Sequence, residues 1–425
     1  MKAPLKILSF ILLLCIFFTV SPFCVSAMQE DENEAVKLTL DDAIDMAVGY
    51  SYQIQEIEQY IDSLWETYNN QRQYWNMLQQ QLEYIELYNS LYTRDKNGVE
   101  LEPLERMQLE MFRAMYGLTP PQLSGIDKFN NYIKPGEFSC YQIYAQVEKA
   151  RNQRSLINKT LASDIRETYN NILLMKNELA IQKNYLETYT EQNKKMHKLY
   201  ENGLISQFDV YSSDTALMQQ EITIGMAERN IQNMEILLKS KLGIPMDREI
   251  ILESATVKNT LKLHSTYDYY LKRALSEREE ILSAQIDLNN RSRELDVVKQ
   301  YFTHELLTER IDAQIAADEA ETAYNEAVLK VTVDIRTGYM DVVSKYNDAI
   351  LALKDFNNAK KQFNSAEKQY EAGQIDFNTM LEYQASLKNS EIEYINAVYK
   401  YNNAVDRLNT ASGIGPSYSV QGGLQ

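Results

Sequence analysis

An internal repeat with a constant offset of 170 residues constrains the fold of this chain more than any other feature. The triplet at 164–166 recurs at 334–336, and the pair at 243–244 recurs at 413–414. Matching residues keep this offset without a slip over the whole segment between those positions. Two unrelated helical stretches would seldom hold one offset for so long, so the repeat indicates a duplicated structural unit.

Each copy of the repeat has the apolar spacing of a hairpin of two long helices. In both arms apolar residues recur every seven positions, the spacing of a coiled-coil seam. The first arms carry Ile165, Ile172, Leu179 and Leu186 in one copy and Ile335, Val342, Ala349 and Phe356 in the other. The second arms carry Val210, Leu217, Ile224, Ile231 and Leu238, and Met380, Leu387, Tyr394, Tyr401 and Leu408. We interpret these stripes as helix core.

A glycine separates the two arms of each hairpin. Gly203 and Gly373 follow the first arms, and glycine readily adopts the positive φ that ends a helix. The first arm of copy one contains no proline between Tyr144 and Tyr200, which corresponds to about 85 Å of helix. The sequence therefore predicts an all-α fold made of two tandem repeats of long antiparallel coiled-coil hairpins.

The first 27 residues have the pattern of a secretory signal peptide. Two lysines precede an apolar run at 7–20, and Ala27 completes a small-residue cleavage motif. We expect cleavage, with an uncleaved anchor as the alternative. The protein is thus predicted to be exported, to the cell envelope or its extracellular face. The domain boundaries that follow are a first repeat at 28–245, a second at 246–415 and a flexible tail at 416–425.

The first repeat is longer than the second because it contains an insert at 92–140. The insert holds four prolines and four glycines, with a Met-rich helical segment at 104–116. A weaker match with an offset of 227 aligns a helix predicted at 43–55 with residues 270–282. The ends of the two halves therefore differ at the insert, although their hairpins match.

Charge and chemistry exclude several classes of function. The formal net charge is −17, which disfavours binding to nucleic acid because phosphate recognition needs a basic surface. The histidines, His197, His264 and His304, lack the spacing of metal ligands, and no nucleophile or phosphate-binding motif is found. We therefore predict no enzyme activity, no catalytic residues, no metal and no cofactor.

Several segments closely resemble motifs of the TolC-type outer membrane efflux family. Residues 38–44 are similar to the start of that family's first helix, and 242–245 to the end of its first half. The hairpin tips carry the rest of the resemblance, with Tyr200, Asn202, Gly203, Leu204 and Ile205 in copy one and Tyr370, Ala372, Gly373, Gln374 and Ile375 in copy two. The resemblance covers nearly the whole chain after the signal.

The resemblance implies a homotrimeric helical tube for transport across the cell envelope. The tips listed above would bind a membrane-fusion adaptor protein, which joins the tube to an ABC-type or proton-driven exporter. The family also carries membrane strands where the long helices turn back. Residues 301–307 are too few for two such strands and the insert shows no alternation, so we expect a relative without the membrane β-barrel.

The resemblance also points to an acidic residue near each tip that faces the tube interior. Asp209 holds that position in copy one, whereas Thr379 replaces it in copy two and Glu382 follows nearby. Asp209 and Glu382 are thus possible lumen acids, with ordinary solvated helix charges as the alternative. The competing function is a secreted coiled-coil spacer or cell-wall-associated regulator without a pore. A stable trimer would favour the tube, and an elongated monomer the spacer.

Overall fold

The computed structural model describes residues 35–253 and 265–421. The predicted signal peptide, His264 and the last four residues of the predicted tail lie outside these ranges. The first half contains β1 (Val36–Leu38), α1 (Leu40–Tyr50), α2 (Tyr52–Lys96), α3 (Pro103–Tyr116), α4 (Gly125–Lys128), a π-helical segment (Phe129–Phe138), α5 (Ser139–Glu201), α6 (Gln207–Leu242) and β2 (Ile250–Leu252). The second half contains α7 (Tyr267–Glu277), α8 (Glu279–Tyr301), α9 (Thr308–Glu371), α10 (Phe377–Ala411) and α11 (Tyr418–Gln421).

The predicted all-α fold with two long hairpins is confirmed. One hairpin consists of α5 and α6, and the other of α9 and α10, whose bounds lie within one residue of the 170-residue offset. The strands in the described residues, β1 and β2, pair in parallel. The proposed domain boundaries stay a prediction.

The hairpins lie side by side in a single layer of helices. Toward the turns at Gly203 and Gly373, which we call the tip end, the order across the layer is α6, α5, α10 and α9. Toward the insert, which we call the insert end, the order is α2, α5, α8 and α9. One edge of the layer is therefore α9 along its whole length, and the other is α2 followed by α6.

The helix predicted at 43–55 is interrupted, which the sequence did not indicate. Ser51 has extended backbone angles and separates α1 from α2. Arg278, the equivalent residue at the offset of 227, has extended angles too and separates α7 from α8. The break is thus part of the duplicated unit, and it allows the short helices to pack across the hairpins.

Two large apolar clusters stabilise the middle of the layer. In the first half, Ile165, Tyr169 and Ile172 of α5 pack with α1, α6 and the strand pair. In the second half, Ile335, Val342 and Ala349 of α9 pack with α7 and α10. These are predicted seam residues, so the heptad stripes do form helix core. Cys140 is buried and makes no disulfide, and its burial raises the pKa of the thiol.

Candidate functional site

The two hairpin tips meet in one small apolar cluster. Met196 and Ile205 from the first tip pack against Ile375, Phe377 and Met380 from the second. The Tyr370 ring lies 5.9 Å from the Phe377 ring, and its hydroxyl lies 3.7 Å from the sulfur of Met196. The tips therefore present one composite surface rather than two separate loops.

The turns have the geometry that the glycines predict. Gly203 and Gly373 both have a φ of 71°, and the space around each glycine is open. Asn202 and Ala372 end the preceding helices, each through an N–H bond to a carbonyl one turn back. The main chain at both tips thus depends on a conformation that residues with a Cβ rarely adopt.

The acid predicted near the first tip caps a helix. The Asp209 carboxylate accepts hydrogen bonds from the Ser206 N–H at 3.0 Å and the Ser206 hydroxyl at 2.6 Å, a reciprocal capping arrangement at the start of α6. In the second tip Asp376 caps α10 by accepting from the Thr379 N–H at 2.7 Å. The apparent loss of an acid at 379 is therefore an exchange of capping roles. A lumen role for Asp209 stays a prediction.

Glu382 occupies a different environment. It lines an open groove between α9 and α10 together with Asp355, Asn358, Asn389 and Glu393. The equivalents of the three acids in the first hairpin are Tyr185, Ser212 and Thr223, so the negative charge is confined to the second hairpin. The structure does not bring Asp209 and Glu382 into one site, and the lumen role of Glu382 also stays a prediction.

The first tip exposes apolar side chains that the sequence analysis missed. Leu204, Phe208 and Tyr211 are 69%, 67% and 70% exposed, and Tyr200 is 44% exposed. Their spacing would have revealed the patch, because residues four and seven positions after Leu204 follow one face of the chain entering α6. In the second tip, Gln374 and Asn378 stand in place of Leu204 and Phe208. Only the first tip is therefore markedly apolar.

A polar seam joins the two hairpins behind the tips. Gln192 of α5 donates to Gln384 of α10 at 2.9 Å, and Lys388 donates to Gln220 of α6 at 3.0 Å. Gln220 and Gln384 are almost fully buried, and burial lowers the pKa of Lys388. Because buried amides need directed partners, these bonds fix the position of one hairpin against the other.

A charged contact also links the helices of the first hairpin. The Asp214 carboxylate lies 2.6 Å from the Asn193 amide and 2.8 Å from His197 Nε2. Hydrogen bonds from Asn193 and then His197 lower the pKa of Asp214. Across 35–253 and 265–421, no group of three His, Cys, Asp or Glu side chains is arranged to hold a metal ion. None of the helices within these ranges has the length and hydropathy needed to cross a membrane.

Comparison with known proteins agrees with this architecture. Residues 302–414, which include both helices of the second hairpin, match the family model of the outer membrane efflux proteins. That family consists of transport channels and not of enzymes. No characterised protein matches the chain by sequence at a significant level.

Solved channel structures share the fold at low sequence identity. A structure of CusC superimposes with a TM-score of 0.63 at 10% identity, covering 90% of this chain and 94% of CusC. A membrane protein from Pseudomonas aeruginosa gives a TM-score of 0.60 at 12% identity, covering 88% of this chain and 90% of its own. The outer membrane protein VceC from Vibrio cholerae gives 0.58 at 13% identity, covering 88% and 96%.

These comparisons do not support the expectation that the chain has lost the family's membrane strands, which stays a prediction. They do support the resemblance found at the tips and in the repeat. Residues 302–414 are an outer membrane efflux protein domain, and the described chain has the fold of the TolC-type channels.

Proposed function

We propose that this protein is the channel subunit of an efflux or secretion system in the cell envelope. Three exported copies form a helical tube, and the joined tips bind a membrane-fusion adaptor. The adaptor connects the tube to an ABC-type or proton-driven exporter. One observation carries this proposal: both edges of the helical layer expose continuous apolar stripes.

The α9 stripe runs along nearly the whole helix. Its members are spaced by 4, 14, 4, 7 and 11 residues, which keeps them on one helix face, and they are Ile311, Ile315, Leu329, Val333, Met340 and Leu351. Each of them is at least 41% exposed. A stripe of this length needs a partner, because an isolated soluble protein seldom exposes large contiguous apolar surface.

The opposite edge exposes a second stripe made by two helices. On α2 it includes Tyr74, Met77 and Tyr84, and on α6 it includes Met218, Ile222 and Met226. Two different edges that face different neighbours favour a head-to-tail contact, and such contacts close into rings. The net charge of −17 opposes the contact, so we expect salt to strengthen assembly by screening the repulsion.

Light scattering at several salt concentrations tests the tube. We expect a mass of three chains, with more trimer at higher salt. The variant Leu329→Gln, Val333→Gln should shift the mass toward one chain, because it places amides in the centre of the contact. A single-chain mass for the unaltered protein at every concentration and salt level would contradict the tube and favour the spacer function.

Adaptor binding is tested at the tips. Leu204→Gln with Phe208→Asn transfers the residues of the second tip to the first, and we expect weaker pull-down of the cognate adaptor. Gly203→Val with Gly373→Val should also weaken it, because valine is strained at positive φ.

The matched control for the glycine pair is Gly98→Val. Gly98 has a φ of 73° and an equally open surrounding, but it lies at the insert end. It should therefore bear the same local strain and leave adaptor binding unchanged. Equal pull-down by both glycine variants would contradict docking at the tips.

A further inference from the structure

The insert carries an exposed apolar face that the tube does not explain. Along α3 and just beyond it, Leu104, Met107, Met111, Met115 and Leu118 are between 47% and 80% exposed. Spacings of three and four residues place them on one side of the helix. The opposite side is buried against α2 through Leu109 and Phe112. The helix thus has a second apolar face that no described residue covers.

This face is held in place rather than exposed by a loose segment. Phe112 and Tyr116 pack against Tyr88 of α2, whose hydroxyl donates to the Gly117 carbonyl. Arg94 forms two hydrogen bonds with Glu105, at 2.6 and 3.0 Å. The exposed stripe is therefore a rigid feature of the insert.

The stripe lies on the part of the molecule that projects furthest at the insert end. Lys128 pairs with Glu86 at 2.6 Å, and the adjacent Phe129 ring lies 5.0 Å from Phe302, where α8 ends. From Glu86, α2 continues ten residues to Lys96, a rise of about 15 Å. The start of α3 therefore extends beyond the turn between α8 and α9.

The charge of the insert differs from that of the whole chain. Residues 92–140 contain six Lys or Arg and seven Asp or Glu, a net charge of −1, whereas the whole chain carries −17. The charged side chains of this helix pair with α2 or with each other: Arg113, for example, contacts Asp95 and Glu110. This end is consequently the least repelled by a surface that carries no net charge.

The chemistry of the stripe favours a fluid partner over a shaped one. It consists of leucine and methionine, with none of the tryptophan, tyrosine or arginine anchors that dominate specific protein interfaces. Flexible thioether side chains adapt to an irregular apolar environment. A helix with one apolar side and neutral flanks is suited to lie at the boundary between lipid headgroups and acyl chains.

We infer that α3 is an interfacial helix that places the insert end of the molecule on a phospholipid bilayer. Its Leu and Met side chains enter the outer part of the acyl region, and its ion-paired side remains among the headgroups. The contact needs no spanning segment and no anionic lipid.

Flotation of the full-length protein with phosphatidylcholine vesicles tests the inference. We expect the unaltered protein to float with the vesicles, equally at low and high salt because the insert is nearly neutral. Met107→Gln, Met111→Gln, Met115→Gln should reduce the bound fraction at least tenfold. This variant keeps side-chain size and alters exposed positions only.

The matched control is Met218→Gln, Met226→Gln, Met340→Gln. These methionines are 54% to 56% exposed but lie on the proposed subunit edges. The control should float normally and lose trimer mass, whereas the α3 variant should keep its trimer mass and stop floating. Failure of the unaltered protein to float, or normal flotation of the α3 variant, would overturn the inference and leave the tube unaffected. Loss of trimer mass in the α3 variant would also overturn it, by showing that another copy covers the stripe.

Discussion

The two repeats solve one electrostatic problem in different ways. Asp164 and Asp334 are equivalent residues, and each is paired with a cation. In the first repeat the cation is Lys241 from the end of α6, and the pair remains partly exposed. In the second, the position equivalent to Lys241 is Ala411, and Arg278 supplies the charge from the break between α7 and α8. The duplicated backbone thus keeps the carboxylate while the source of its partner changes.

The change of partner also changes burial. The Arg278 side chain is 1% exposed, and it bonds Glu280, Asp334 and the Ala411 carbonyl. Asp334 also accepts the N–H groups of Tyr418 and Ser419, so it holds the C-terminal segment against α9. Burial acts to raise the pKa of Asp334, but these hydrogen bonds outweigh it and lower the pKa. The second repeat therefore depends on a buried network where the first has a surface pair.

The largest expected effect separates these two networks. Arg278→Met leaves Asp334 and the Ala411 carbonyl buried without their partner, and should cost about 3–5 kcal/mol of unfolding free energy. Lys241→Met breaks a pair that water can replace, and should cost less than about 1 kcal/mol. Urea unfolding followed by circular dichroism measures both. Equal losses would show that burial does not distinguish the two pairs.

A glycine comparison should give the next largest difference. Gly203 and Gly243 have φ of 71° and 69°, but a Cβ on Gly243 would lie 2.6 Å from the Tyr50 ring, while Gly203 has open space. Gly203→Ala should cost about 1 kcal/mol from the backbone alone, and Gly243→Ala roughly twice that. Thermal unfolding ranks the two variants. The gap should shrink in a Tyr50→Ala background, and if it does not, the ring is not its cause.

The pH dependence of stability should have opposite signs at two aspartates. Burial raises the pKa of Asp406, and Arg166 opposes this only in part. A carboxyl group with a raised folded pKa favours folding at low pH and loses that contribution as pH rises through the folded pKa. Asp406→Asn should therefore raise the urea midpoint at about pH 7 and leave it unchanged at about pH 3.

Asp334 provides the reverse case in the same measurement. Its lowered pKa contributes stability above the unfolded value, and this is lost as pH falls through the folded pKa. Asp334→Asn should lower the midpoint at about pH 7 by an amount that shrinks toward about pH 3. A shift of the same sign for both variants at neutral pH would contradict the assignment.

The smallest expected effect concerns the helix caps near the tips. Asp376→Ser with Thr379→Asp rebuilds the capping pair of α6 at the start of α10, and should change stability by less than about 0.5 kcal/mol. Asp376→Ala removes the cap and should cost about 1 kcal/mol. Thermal unfolding of both variants provides the comparison. A large loss from the exchange would mean that the two caps are not equivalent.

Sequence patterns predicted most of the fold because the information was local and repeated. The seam residues identified α5, α6, α9 and α10, and the glycines located both turns. The break at Ser51 was missed because serine is compatible with a continuous helix, and only the packing of α1 across α5 requires an extended residue there.

The candidate site was predicted in part. The tip residues were found through their motif, but Phe208 and Tyr211 were missed because apolar residues on a heptad helix were assigned to the core. Their exposure depends on which helices lie beside α6, and α6 forms an edge of the layer. A seam pattern shows that a residue faces some neighbour, but not whether that neighbour belongs to the same chain.

The sequence by itself determined the helical class, the duplication, the lengths of the arms and the positions of the turns. These follow from periodicity and from glycine, which act over a few residues. The tertiary structure decided the order of helices across the layer, and with it which apolar stripes are buried and which remain at the edges. It also decided that Arg278 pairs with Asp334 and that the two tips form one surface. Such contacts join residues far apart in the chain, and their energies depend on burial that no local pattern records.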